Sequence, residues 1–174
     1  QGTRLGLVGM SGRTEFPHVH LSVRKDGETV DPFDPDGAVA CGAPSQDTLW
    51  QNPISYEPGG LLAVGFAPNV PDFSAIKAGT AINISLDPTA PGLVLWGYVF
   101  GGREGDTIRF GIDGPNGWRH AKDSVLSKNQ ALLFRASGKR LTLPRWPAGT
   151  YAGHVTHLRN GIAISQKTVM LNIE

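Results

Sequence analysis

Thr150-Tyr151-Ala152-Gly153-His154-Val155-Thr156-His157-Leu158, then Arg159-Asn160-Gly161, then Ile162-Ala163-Ile164 and onward to Ile173, is the stretch on which the fold turns. Asn-Gly accepts the positive φ angles of a tight hairpin turn, and the runs on either side are rich in β-branched and aromatic residues. Working back toward the start of the chain, comparable runs occupy 81–86, 93–100, 107–112 and 131–136. Turn signals separate them: Gly101-Gly102, Asp113-Gly114-Pro115-Asn116-Gly117, Ser137-Gly138 and Pro147-Ala148-Gly149. Strands at this even spacing predict a small antiparallel sandwich beginning near residue 80.

Trp146-Pro147-Ala148-Gly149-Thr150-Tyr151 resembles the entry to the penultimate strand of immunoglobulin-like or fibronectin-like domains, a likeness of architecture that implies no ligand. Upstream, Pro71-Asp72-Phe73-Ser74-Ala75-Ile76-Lys77-Ala78-Gly79 predicts one short helix, capped by Asp72 and stopped by Gly79. Residues 37–79 otherwise read as an irregular connector, rich in Pro and Gly, with Trp50, Ile54 and Tyr56 as anchors.

Composition bounds the function. The 174 residues carry 16 Lys and Arg against 15 Asp and Glu, a net charge of +1 with no run of either sign. Nothing in that balance predicts a nucleic-acid or polyanion surface. No apolar run is long enough to cross a bilayer. The single cysteine, Cys41, cannot form an internal disulfide; it is a buried thiol or bridges to a cysteine outside the chain. The first residue is Gln1, which fits a processed or truncated product.

Chemistry concentrates near the start, in Leu7-Val8-Gly9-Met10-Ser11-Gly12-Arg13-Thr14-Glu15-Phe16-Pro17-His18-Val19-His20-Leu21-Ser22-Val23-Arg24-Lys25-Asp26-Gly27. Residues 4–10 and 18–25 predict two strands, and Asp26-Gly27 a hairpin turn. On a strand His18, His20, Ser22 and Arg24 share one face, and Val19, Leu21 and Val23 the other. Two imidazoles on one face can present nitrogens to a metal such as zinc.

This stretch resembles the closing motif of the M23 peptidases, the lysostaphin- and LytM-like zinc endopeptidases that cut cross-link peptides of bacterial cell walls. The match runs through Gly6, Val8-Gly9, Ser11-Gly12, Pro17-His18-Val19-His20, Val23-Arg24, Asp26-Gly27 and Val30-Asp31-Pro32, about the first fifth of the chain. The resemblance implies that His20 is a zinc ligand and His18 a catalytic histidine that polarises water or steadies the oxyanion. It also implies a peptidoglycan peptide substrate and an extracytoplasmic location, periplasmic or secreted. The family's other zinc ligands come from an upstream His-x-x-x-Asp, which is absent here, and no histidine precedes His18. Phe16 stands where a glycine is usual.

The chain therefore reads as mainly β, in three parts. Residues 1–36 are a short antiparallel hairpin remnant of an M23 catalytic sheet, 37–79 the connector with its short helix, and 80–174 an Ig-like accessory sandwich. The functional expectation is the C-terminal portion of a zinc endopeptidase, not competent alone, whose partner is the N-terminal part of the same catalytic domain. The alternative is a non-catalytic sandwich that binds a partner and carries a vestigial His-x-His strand.

Other candidates read more plainly. His154 and His157, three apart on a strand, point to opposite faces and cannot chelate together, which makes them surface and edge histidines. His120 receives no role. Asp31, Asp34 and Asp36 read as turn residues beside proline and glycine rather than a calcium loop. Trp50, Trp96, Trp118 and Trp146 pack the sandwich and its ends; Trp118 and Trp146, beside turns, could instead form a platform for sugar rings.

Overall fold

The chain divides into two compact units, Gln1–Glu57 and Pro58–Glu174. A computed structural model describes residues 2–4, 6–14, 17–37, 47–52, 54 and 57–174. Cys41 and Tyr56 lie outside the described residues. The protein is mainly β, with no helix of seven residues or more among the described residues. Among the described residues no helix is long and apolar enough to cross a membrane.

Among the described residues of the first unit the regular structure is one antiparallel hairpin. Strands β1 (Val23–Lys25) and β2 (Glu28–Val30) pair from Val23↔Val30 to Lys25↔Glu28. Asp26 and Gly27 supply the turn at φ 53° and 89°, the positive values that a two-residue connection between right-twisted strands requires. Of the expected strands over 4–10 and 18–25, the described residues of the first form none and the second keeps only Val23–Lys25. An isolated bridge, with the His18 N–H donating to the Gly9 carbonyl at 3.3 Å, is what joins them. Regular pairing begins only at Val23, because a two-stranded ribbon does not hold its length without a third strand or a packed face.

Past the hairpin the aspartates form turns, as their proline neighbours suggested. The Phe33 N–H donates to Asp31 Oδ1 at 2.8 Å, and the Asp34 N–H to the Asp31 carbonyl at 3.1 Å. Trp50 packs its ring 5.4 Å from that of Phe33.

The second unit is a sandwich of two sheets. One holds β3 (Gly60–Ala67), β5 (Gly92–Gly102) and β8 (Gln130–Arg140) in the order β3-β5-β8. The other holds β4 (Ser85–Leu86), β6 (Thr107–Asp113), β7 (Arg119–Val125), β9 (Gly149–Arg159) and β10 (Ile162–Ile173) in the order β4-β10-β9-β6-β7. This is an immunoglobulin-like arrangement, two open sheets whose inner faces alternate apolar residues into a shared core. One pairing departs from the antiparallel expectation: β4 runs parallel to β10, at Asn172↔Ser85 and Ile173↔Leu86.

Between the sheets, Phe66, Leu95 and Val99 from one side meet Ile108, Phe110, Val155 and Leu171 from the other. Full burial of each such side chain contributes about 1.5–3 kcal/mol. Leu95 and Phe66 sit so close over Gly153 that a Cβ there would lie 2.7 Å from each. Two residues before Gly153, the buried Tyr151 donates its hydroxyl to the Pro147 carbonyl at 2.8 Å. That bond ties the start of β9 to the loop before it, in the manner of the tyrosine corner of Ig-like domains.

Helix α1 (Phe73–Ala78) covers the outer face of the three-stranded sheet. Phe73 stacks on Phe134 at 5.4 Å and meets Tyr98 edge-on at 5.6 Å, while Ile76 and Trp96 are buried beside them. Asp72 and Gly79 flank the helix as expected, although the Asp72 side chain makes no capping bond.

Two sequence expectations are corrected here. The sandwich was expected near residue 80, but β3, at Gly60–Ala67, already belongs to a sheet and is largely buried. Its Gly-Gly approach and lack of polar alternation made it look like connector. Ser137-Gly138 and Gly101-Gly102 were expected as turns, yet both lie inside strands. Gly138 is needed for close approach: a Cβ there would fall 2.1 Å from the Leu93 carbonyl oxygen across the ladder.

Tyr151→Phe removes the hydroxyl and leaves the core volume unchanged. It is expected to cost about 1 kcal/mol, read as a lower urea midpoint with an unchanged slope.

Candidate functional site

The first candidate is the His-x-His segment. His18 and His20 are both exposed. His18 Nδ1 lies 3.1 Å from Thr14 Oγ1, a hydrogen bond that steadies its ring. On either side of His20, Val19 and Leu21 are 77% and 61% exposed, and Leu7, Val8 and Met10 are exposed as well. Little of the described chain therefore covers the apolar residues of this segment. Among the described residues no group of three or more His, Cys, Asp or Glu side chains is arranged to hold a metal ion. A catalytic zinc takes three protein ligands and keeps one position open; the described residues do not complete that set.

The second candidate escaped the sequence reading. His157, expected at the surface or an edge, is fully buried, and Asp106 is only 2% exposed. His157 Nε2 donates to Asp106 Oδ2 at 2.8 Å. Arg159 donates to the same carboxylate from Nε at 3.1 Å and Nη2 at 2.7 Å, and from Nη2 to the Gly101 carbonyl at 2.7 Å. The Arg103 N–H adds a fourth donor group at 2.9 Å.

Burial pushes the Asp106 carboxyl upward. The bonds from Arg159, the Arg103 N–H and His157 outweigh it and hold the group well below the ordinary carboxylate range. Among the described residues His157 Nδ1 and Arg159 Nη1 have no hydrogen-bond partner. The cluster pins the β5–β6 turn to the end of β9. A reader of sequence could have found it only by noting that His157 and Arg159 share a strand face. Nothing in sequence marks Asp106, 51 residues before His157, as their partner.

His154, by contrast, lies on the outer face, with Nδ1 3.0 Å from Thr168 Oγ1 and Nε2 3.7 Å from Asp113. The two histidines of β9 thus do point apart, as a strand demands. The tryptophans largely pack. Trp96 is buried under α1, and Trp146 donates its indole N–H to the Ala90 carbonyl at 2.9 Å. Trp118 meets Trp146 and Tyr151 edge-on at 5.9 and 5.6 Å, and remains half-buried.

His120 has a structural partner after all: its Nε2 lies 2.7 Å from Ser137 Oγ, joining β7 of one sheet to β8 of the other. Burial first, then the charges of Lys139 and Lys122, hold the His120 pKa below its ordinary value.

Comparison with protein-family models gives no match, and comparison with curated proteins gives none either.

Two outcomes follow from this geometry. Asp106→Asn leaves Arg159 with no carboxylate and is expected to cost about 3–5 kcal/mol by chemical denaturation. Because the folded pKa of Asp106 lies below its unfolded value, the stabilisation is whole above about pH 4 and drains as pH falls through the folded value. Asp106→Asn should flatten that acid limb. Separately, Lys139→Met removes one of the charges acting on His120 and is expected to raise its pKa, followed through the imidazole Cε1 proton by NMR.

Proposed function

We propose that this chain is the C-terminal portion of an M23-type zinc endopeptidase acting on peptidoglycan cross-link peptides outside the cytoplasm. Its Ig-like sandwich is an accessory domain. The observation that carries the reading is the state of the His-x-His segment. Two exposed histidines alternate with the exposed apolar Val19 and Leu21. Exposed aliphatic residues in a run of this kind mark a surface that another polypeptide covers. The occupant is the N-terminal part of the same catalytic domain, which lays a further strand against residues 18–22 and brings the donors that complete the metal site. In that assembly His20 is the donor this chain contributes, and His18, held by Thr14, is the catalytic histidine beside it. The compound motif from Gly6 to Pro32 supports the same assignment.

The test compares residues 1–174 with the protein extended upstream as its gene encodes it. The extended protein is expected to hold stoichiometric zinc by atomic emission and to release peptides from purified peptidoglycan. His20→Ala should lose the metal. His18→Ala should keep it while peptide release falls by roughly a hundredfold or more. An extended protein without zinc, or a His20→Ala variant with its zinc intact, overturns the reading.

A further inference from the structure

The sandwich has one open side, where β7 of the five-stranded sheet faces β8 of the three-stranded sheet, and cations gather there. On β7, His120 pairs with Ile112 and Lys122 with Phe110, both core residues, so the two basic side chains lie on the inward face of an edge strand. From β8, Ser137 reaches His120. Lys139 and Arg140, next along β8, are exposed and make no ion pair among the described residues, and neither does Lys122. Arg119 stands at the end of β7, 80% exposed, with Asp113 as its counter-charge at 2.9 Å. The other acid of β7, Asp123, is spoken for by Arg109, whose Nε and Nη2 both donate to it at 2.9 Å. Inward-pointing charges are one way an edge strand avoids pairing with another chain, but that purpose does not require a cavity.

A cavity is present. A cleft of about 310 Å³ opens beside these cations, at the small end of the range for ligand sites. Trp118, Trp146 and Leu143 wall it, and Arg119, Lys139 and Arg140 rim it. Leu143 is exposed despite its apolar side chain. On the other side of Lys139 and Arg140 a second hollow of about 560 Å³, reaching Asn69 and Val70, shares the same two residues. A chain-like ligand can therefore lie across the pair.

We infer that this cleft binds an acidic oligosaccharide, with a sugar ring against the Trp118 indole and its carboxylates on Lys139 and Arg140. The indole offers the flat apolar surface that a sugar's C–H face needs, and the unpaired cations supply what a neutral sugar would not use. The seam gathers a few cations on a chain of net charge +1, whereas a nucleic-acid strand needs a row of phosphate contacts. The inference stands on the second unit and does not depend on the peptidase reading.

Calorimetry on the full chain at about 50 mM salt tests it, with hexagalacturonate, neutral maltohexaose and an oligothymidylate as probes. Hexagalacturonate is expected to bind, and maltohexaose to bind at least roughly tenfold more weakly. Raising salt to about 300 mM should weaken the acidic sugar. The double variant Lys139→Ala with Arg140→Ala should lose roughly tenfold or more in affinity while unfolding at the parent temperature, both residues being exposed and unpaired. Binding should shift tryptophan emission, and Trp118→Phe, which keeps an aromatic ring in place, should abolish that shift. No binding of hexagalacturonate, equal binding of maltohexaose, an oligothymidylate that binds as tightly, or an unaltered affinity in the double variant would each overturn the assignment.

Discussion

The second unit rests on how closely its two sheets approach at Gly153. Leu95 and Phe66 descend from one sheet onto a residue of the other that has no side chain to offer, and Tyr151, two positions earlier, hooks the same strand to its preceding loop. Ig-like domains often place a disulfide across this part of the core. With a single cysteine, and that one outside the unit, dispersion and desolvation supply the cohesion instead. Everything displayed on the outside, from the helix over one sheet to the cation seam at the open side, inherits its geometry from that contact.

The described residues of the first unit form no comparable centre. Its hairpin is three residues a side, and the segment leading into it carries aliphatic residues on the surface. A segment so poor in buried apolar area gains little toward the entropy of ordering its backbone. His18 and His20 sit on this exposed segment, while the well-packed sandwich carries the buried ionic cluster. The His-x-His segment and the well-packed core thus lie in different units of the chain.

Much of the β architecture was legible in sequence because it is local. Asn160-Gly161 and Asp26-Gly27 announce their turns through backbone conformation alone, and strands such as β5, β6 and β9 show their type in β-branched and aromatic residues. Two strands were not legible. Arg119–Val125 reads as polar because it is an edge strand with charges along its length, and Gly60–Ala67 reads as featureless because it is buried on most of its length and so does not alternate. The Asp106 cluster was invisible for a different reason: it is a tertiary contact across 51 and 53 positions, and no local pattern encodes such a meeting. The His18 and His20 pair was visible as a motif, but the length of strand it promised was not realised, since a strand needs a neighbour as well as a pattern.

The parallel pairing of β4 with β10 has a mechanical side. Ser85 and Leu86 lie against Asn172 and Ile173 in the same direction, and the Asn172 N–H reaches the Ile84 carbonyl at 3.0 Å. Tension that draws the early part of the unit one way and the final strand the other therefore loads these bonds side by side, in shear, so that they must fail together rather than one after another. An antiparallel edge in the same place would unzip. The short β4 strand is thus placed as a latch against pulling along that direction.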